Sequence, residues 1–206
     1  MANIKSEGML FILSSPSGAG KTTIAHAIAD RDSNTKLSIS CTTRAMRPNE
    51  KADQDYYFVE RDTFLNMVAE DKFLEYAIIY DHLYGTPKDK IIDHINNGKD
   101  IIFDIDWQGT KSITKKLPEH VVSIFILPPS LAILKKRLKS RSSDSKDEIE
   151  RRFNEAIHEI SHYKNYDFVV VNDNLEKAIE EVYSILKAER LRRTRRKGIV
   201  NFIEGM

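Results

Sequence analysis

From Met9 to Leu13 the chain is continuously apolar; the polar run SSPSGAGKTT follows, and KTTIAHAIADR then spaces Ile24, Ala27 and Ile28 at helical intervals. This order predicts a strand, a loop and a helix. The pattern recurs three times: DIIFDID at 100–106 precedes QGTKSITKKL, VVSIFIL at 121–127 precedes LAILKKRLKSR, and DFVVVN at 167–172 precedes LEKAIEEVYSILKAERLRR. Runs that are apolar on both faces and alternate with helices predict a parallel sheet covered on both sides, an α/β architecture. Residues 37 to 86 break the rhythm. There LSISCTTR, DYYFV and FLEYAIIY are strand-like and only DTFLNMVAED is helical, which predicts an insert with its own small sheet. The Ser-rich stretch SRSSDSKD at 140–147 lies between two helices, and Ser145 to Glu148 has capping-box spacing. The insert and this stretch are the candidate moving parts.

The chain of 206 residues is long enough for one well-buried core. A hydrophobic share of 41% and a charged share of 31% exclude a disordered or fibrous chain. A net charge of +1 argues against a chain-wide nucleic-acid surface. The single Cys41 allows no intrachain disulfide and suits a reducing compartment. MLFIL is too short for a signal core or a membrane span, so a cytoplasmic protein is expected.

Residues 15–22 read S-P-S-G-A-G-K-T against the phosphate-loop pattern G-x-x-x-x-G-K-[ST], with Ser15 in place of the first glycine. A loop that follows a strand and opens a helix places free backbone N–H groups and the positive helix end around a phosphate. Gly18 and Gly20 allow the torsions and close approach this needs. Lys21 then reaches the β- and γ-phosphates and the Thr22 hydroxyl addresses magnesium. The competing reading is a strand-to-helix turn with a chance Lys-Thr pair. Asp104 and Asp106 end a strand at the carboxyl edge, where open α/β sheets place ligands, and an acid there can hold magnesium directly or through water.

SSPSGAGKTT, SISCTTRAMRP, DYYFV, FLEYA, LYGT, DIDWQG, IFILPPS, KKRLKSR and VVND, in that order, make the chain resemble the guanylate kinase family of nucleoside monophosphate kinases over nearly its whole length. The resemblance implies one domain of 1–206. Its P-loop parallel-sheet core would take residues 1–36, 87–138 and 154–206, a mixed-sheet GMP-binding insert residues 37–86, and a helical lid residues 139–153. It also implies ATP-dependent phosphorylation of GMP to GDP with Mg²⁺, leaving acceptance of dGMP open. ATP would meet Ser15, Pro16, Ser17, Gly18, Ala19 and Gly20, then Lys21, Thr22 and Thr23, with Asn172 on the adenine side. Asn172 and Asp173 also read as a plain helix cap before Leu175. Thr22 and Asp104 would serve the metal.

By the same resemblance, Arg44 and Arg47 would grip the acceptor phosphate, with the Tyr56 and Tyr84 hydroxyls completing the cage. Guanine presents N–H donors at N1 and N2, which the Glu75 carboxylate accepts, while Ser40 and Thr86 address the remaining polar edge. Adenine would leave that carboxylate unpaired, and such mismatches are rejected by roughly 10⁴ to 10⁵. Asp104 and Asp106 would also border GMP. Arg137, Arg141 and Arg152 resemble the lid arginines that neutralise the transferring phosphoryl; with Lys21 and Arg44 they form the implied catalytic set. Ser140 and Ser142 stand where the lid's usual glycines flank Arg141, a departure that puts the placement of Arg141 in question.

Three competing readings remain. HEISH at 158–162 spells H-E-x-x-H, the zinc protease motif, with Glu180 and Glu181 as third ligands; the stripe Ile149, Phe153, Ala156, Ile157 and Ile160 explains the same helix by packing. A non-catalytic guanylate-kinase-like scaffold is opposed by the intact Lys21 and Thr22. The basic run LRRTRRK at 191–197 suits the end of a long helix better than nucleic acid. ATP and GMP are the implied partners, with no nucleic acid or membrane; self-association is left open.

Overall fold

The computed structural model describes residues 5–48, 50–79, 81–140 and 146–206. Its first half contains β1 (Lys5–Ser6), β2 (Leu10–Ser14), α1 (Lys21–Arg31), β3 (Thr35–Leu37), β4 (Ser40–Thr42), β5 (Tyr56–Phe58), α2 (Arg61–Ala69), β6 (Phe73–Ile79) and β7 (His82–Pro87). There follow α3 (Lys88–Asn96), β8 (Asp100–Asp104), α4 (Trp107–Lys116), β9 (Val121–Leu127), α5 (Leu131–Ser140) and α6 (Lys146–Ile160). The last are β10 (Phe168–Val171), α7 (Leu175–Arg190), β11 (Arg196–Lys197) and α8 (Ile199–Glu204).

β2 is the centre of a five-stranded sheet of order β10-β9-β2-β8-β3, parallel throughout. All five of its residues are buried, as a strand covered on both faces must be. The two-residue alternation sorts them. Phe11 and Leu13 join Ile24, Ile28, Val182 and Leu186 on the α1/α7 side, while Leu10 and Ile12 join Ile95, Phe103 and Ile113 on the α3/α4 side. Each such side chain contributes about 1.5–3 kcal/mol relative to exposure. Arg190, at the end of α7, bridges Asp32 at 2.7 Å and Asp100 at 2.6 Å, tying that helix to the sheet.

A separate mixed sheet has the order β5-β4-β7-β6, with β4 parallel to β5 and antiparallel pairing elsewhere. It closes over its own small core of Cys41, Phe64, Phe73 and Leu83. The run LSISCTTR is therefore not one strand. Its start, at Leu37, hydrogen-bonds into the parallel sheet beside Ile102, whereas Ser40–Thr42 belongs to the mixed sheet. LYGT lies in β7, and α3, which the strand–helix pattern of the sequence does not predict, buries Ile91 and Ile95 against the sheet.

The chain's two ends meet in a two-stranded pairing of β1 with β11. This corrects the reading of LRRTRRK. Helix α7 stops at Arg190, and the basic run forms a short turn and β11, with Arg195 buried beside Glu189 and Lys197 paired with Glu7 at 2.6 Å. These cations are held by local acids rather than by a helix end. α5 and α6 pack through Leu134, Leu138 and Ala156, with Phe153 and Ile160 against them, while Ile157 is exposed and leaves the expected stripe. Ser145, the proposed first residue of the capping box, lies outside the described residues.

Candidate active site

The loop after β2 turns at two left-handed glycines, Gly18 at φ 90° and Gly20 at φ 98°, and Gly20 is the residue from which α1 starts. A Cβ on Gly20 would stand 2.3 Å from the Asn172 amide nitrogen, so a side chain is excluded by space as well as torsion. Asn172 is buried and donates to the Ala19 carbonyl at 2.7 Å. It holds the loop from beneath. The helix cap is instead Asn174, whose side chain accepts from Lys177 N at 3.0 Å, which corrects the alternative reading of Asn172 and Asp173.

β8 lies beside β2 with Asp104 level with Leu13, which brings its carboxylate to the mouth of the loop. One Asp104 oxygen is 2.7 Å from Lys21 Nζ and the other accepts from the Thr22 hydroxyl at 2.5 Å. Lys21 also donates to the Ile105 carbonyl at 3.0 Å. Burial opposes its charge, but the attraction and hydrogen bond of Asp104, joined by smaller pulls from Tyr56 and Glu159, together hold the ammonium above its ordinary pKa. Thr22 and Asp104 are hard oxygen donors. Among the described residues no group of three or more His, Cys, Asp and Glu is arranged to hold a metal ion. Two oxygens beside a phosphate loop fit magnesium, which takes one or two protein ligands and completes its shell with phosphate and water. Asp106 is used differently: it caps α4, accepting from Gly109 N at 2.9 Å.

Across a cleft of 690 Å³, lined by both the loop and the mixed sheet, a second set of polar groups converges. Arg44 is held by the Tyr84 hydroxyl at 3.2 Å and by Glu50 at 2.7 Å, and its guanidinium lies 5.5 Å from the Tyr56 ring centroid. Arg47 is largely exposed, 3.7 Å from the same Glu50. Tyr56 lines the cleft, and burial pushes its hydroxyl up to about 12, so it stays a donor. Deeper in, Glu75 and Thr86 are paired across β6 and β7, the Thr86 hydroxyl donating to Glu75 at 2.7 Å with Ser40 3.4 Å beyond. Glu75 is buried, and burial raises its carboxyl to about 7. It is seated against α4 where Gly109 leaves room, since a Cβ there would come within 2.9 Å of its oxygen.

A phosphate loop and a buried carboxylate–hydroxyl set thus share one cleft, and comparison with known proteins identifies the lineage that builds it. The guanylate kinase family model matches residues 7–189. The chain belongs to the guanylate kinase family. A guanylate kinase of Bradyrhizobium diazoefficiens is 47% identical over 203 residues, 98% of this chain and 93% of that protein. One from Novosphingobium aromaticivorans is 49% identical over 199 residues, 97% and 90% of the two chains. The crystal structure of the Anaplasma phagocytophilum guanylate kinase superposes with a TM-score of 0.85 at 35% identity, covering 98% of this chain and 96% of that one. A gluconokinase from Sinorhizobium meliloti, at 12% identity and a TM-score of 0.51, shares only the fold.

Within this guanylate kinase framework, Arg152 on α6 donates to the Ser17 hydroxyl at 3.1 Å, and Arg137 on α5 donates to the Asn172 carbonyl at 3.2 Å. Arg141 and Ser142 lie outside the described residues. The zinc reading of HEISH fails on what its side chains contact: the His158 and His162 rings lie 5.0 Å apart, but His162 stacks on Trp107 with centroids 3.9 Å apart, Glu159 is turned to the Ser17 amide, and no third ligand joins them among the described residues. Glu180 pairs with Arg31, and Glu181 lies 3.8 Å from Lys177. Sequence reasoning missed Glu50, Gly109 and Glu159. Only Glu50, close to Arg44 and Arg47 in sequence, carried a local signal; the other two matter through contacts across the fold.

Proposed function

We propose that this chain transfers the γ-phosphoryl group of ATP to GMP, yielding ADP and GDP. The observation that supports this most is the buried Glu75, hydrogen-bonded by Thr86 behind it, lining the same cleft as Lys21 and Thr22. A carboxylate accepts the N1 and N2 donors of guanine, and the adenine edge offers no such pair. Arg44, Arg47, Tyr56 and Tyr84 then hold the acceptor phosphate, whose oxygen forms a bond to the γ-phosphorus as the bond to the β,γ-bridging oxygen breaks. A phosphate oxygen is already anionic near neutrality, so no general base is required.

Lys21 and the loop amides from Ser15 to Gly20 seat the donor phosphates, Thr23 following on the first turn of α1. Arg137 and Arg152 supply positive charge at the transferring group, a role the resemblance extends to Arg141. Thr22 and Asp104 would hold magnesium, which when bound would neutralise negative charge on the donor phosphates. Asn172 positions the loop, and Asp106 positions α4 behind Glu75. Residues 37–86 act as the acceptor region and 139–153 as the lid of one domain. Closure of both excludes water and so suppresses hydrolysis of ATP. No described helix is long and apolar enough to cross a membrane, and we place the protein in the cytoplasm, where a lone buried cysteine suits reducing conditions.

The test is ADP formation from ATP with a panel of nucleoside monophosphates. GMP alone should respond strongly; an equal response to AMP or CMP would overturn the guanine assignment, and no response to any of them would favour a scaffold.

A further inference from the structure

Ser17, in the middle of the phosphate loop, is gripped twice by α6. Its hydroxyl accepts from Arg152 at 3.1 Å, and its backbone N–H donates to Glu159 Oε2 at 3.2 Å. Residues 152 and 159 are two helical turns apart on one face, so a single surface of α6 makes both contacts. Both side chains line the cleft.

The second contact is chemically unexpected. Backbone N–H groups of such a loop are anion donors, and here one of them is satisfied by a carboxylate from the chain itself. The surroundings of that carboxylate are mixed. Lys21 attracts it from α1, while Asp106 at the start of α4 and Glu155 one turn back on α6 both repel it, and burial together with these acids raises its carboxyl to about 7. One Glu155 oxygen is itself buried with no hydrogen-bond partner. Glu159 is therefore held chiefly by the loop amide and Lys21, the same groups that a polyphosphate would claim.

We propose that Glu159 is a positioning residue of the donor seat: its carboxylate is a resident anion that holds the Ser17 amide until donor phosphate displaces it. The proposal rests on the reading that this loop seats the phosphates of ATP. Displacement gives α6 a reason to move when donor arrives. Losing the Glu159 contact removes one of the two hydrogen bonds described between helix and loop, and Arg152 travels on the same helix. It also means that the free chain does not leave the Ser17 amide open to stray anions. A site whose competent state is populated one-tenth of the time binds about tenfold more weakly than the open site would.

The experiment is calorimetric binding of ADP, of inorganic pyrophosphate and of GMP to the unaltered chain, Glu159→Gln and Glu159→Asp. Glutamine keeps the size but not the charge; aspartate keeps the charge but shortens the reach from α6. Both variants should bind ADP and pyrophosphate about five- to tenfold more tightly, with GMP affinity unchanged and KM for ATP lowered without a matching change in kcat. Unchanged or weaker ADP binding by folded variants overturns the proposal. So does loss of the cooperative thermal transition in both, because a displaceable anion cannot be essential to folding. If the unaltered chain bound neither ADP nor pyrophosphate, the donor reading itself would fail. Binding by the unaltered chain with no gain in the variants would sink only the role of Glu159.

Discussion

The two seats we propose, one for donor and one for acceptor, face each other across one cleft but are built in opposite ways. The donor seat is mostly backbone from one continuous stretch, the turn between β2 and α1, with Lys21 and Thr22 on the first turn of the helix. The acceptor seat is almost entirely side chains: Ser40, Arg44, Tyr56, Glu75, Tyr84 and Thr86 come from β4, the loop beyond it, β5, β6 and β7. A backbone cradle binds any polyphosphate, whereas a side-chain pocket can discriminate one base from another. In this structure each seat also holds a carboxylate from the chain itself, Glu159 on the Ser17 amide and Glu50 on Arg44. The Ser17 amide and the half-buried Arg44 guanidinium are thereby paired, and a donor left unpaired away from water is costly.

The sharpest way to separate the seats is Lys21→Ala. We expect kcat/KM to fall about 10³-fold, because one charge-stabilising donor commonly accounts for 10² to 10³. GMP affinity measured by calorimetry should stay within about twofold, and a normal turnover number would end the donor assignment. Glu75→Gln attacks the other seat: kcat/KM for GMP should drop about 10²-fold while ADP binding is unaffected. Equal losses for both nucleotides would mean that the seats are not independent.

The same carboxyl carries a pH signature. With its folded pKa raised to about 7, Glu75 must lose a proton before it can accept two guanine N–H groups, so GMP binding should weaken as pH falls from 8 to 6. The weakening should be about tenfold and absent from Glu75→Gln. For folding the sign reverses: a carboxyl raised above its unfolded value favours the folded chain at low pH and loses that contribution as pH rises through 7. The smallest effect comes from Gly109→Ala. Its Cβ would stand 2.9 Å from Glu75 Oε2, so KM for GMP should rise about five-fold, with KM for ATP unchanged. A shift in the ATP constant instead would show that α4 supports the loop rather than the base pocket.

Legibility in the sequence followed the same division. The α/β class and the strand–loop–helix around Lys21 could be read because buried parallel strands are apolar runs and a phosphate loop is one contiguous motif. The polar residues of the insert could be assigned only through the family resemblance, since nothing local shows that Glu75 faces Thr86. The split of LSISCTTR between two sheets was hidden, because strand propensity does not reveal which edge a strand joins. HEISH shows the same limit: its spacing does bring the His158 and His162 rings within 5.0 Å, but the partners of His162 and Glu159, Trp107 and the Ser17 amide, come from distant segments.

By itself, then, the sequence determined the class of fold, the position of the phosphate loop and the types of side chain available for a nucleotide, all consequences of short-range periodicity and contiguous motif. Only the tertiary structure decided that Asp104 faces Lys21 while Asp106 caps α4, that Asn172 braces the loop, and that Glu159 reaches the Ser17 amide. The physical reason is distance along the chain. Asp104 and Lys21 are 83 residues apart in number, 104 less 21, and Glu159 and Ser17 are 142 apart, so only the packed sheet and helices could bring each pair into contact.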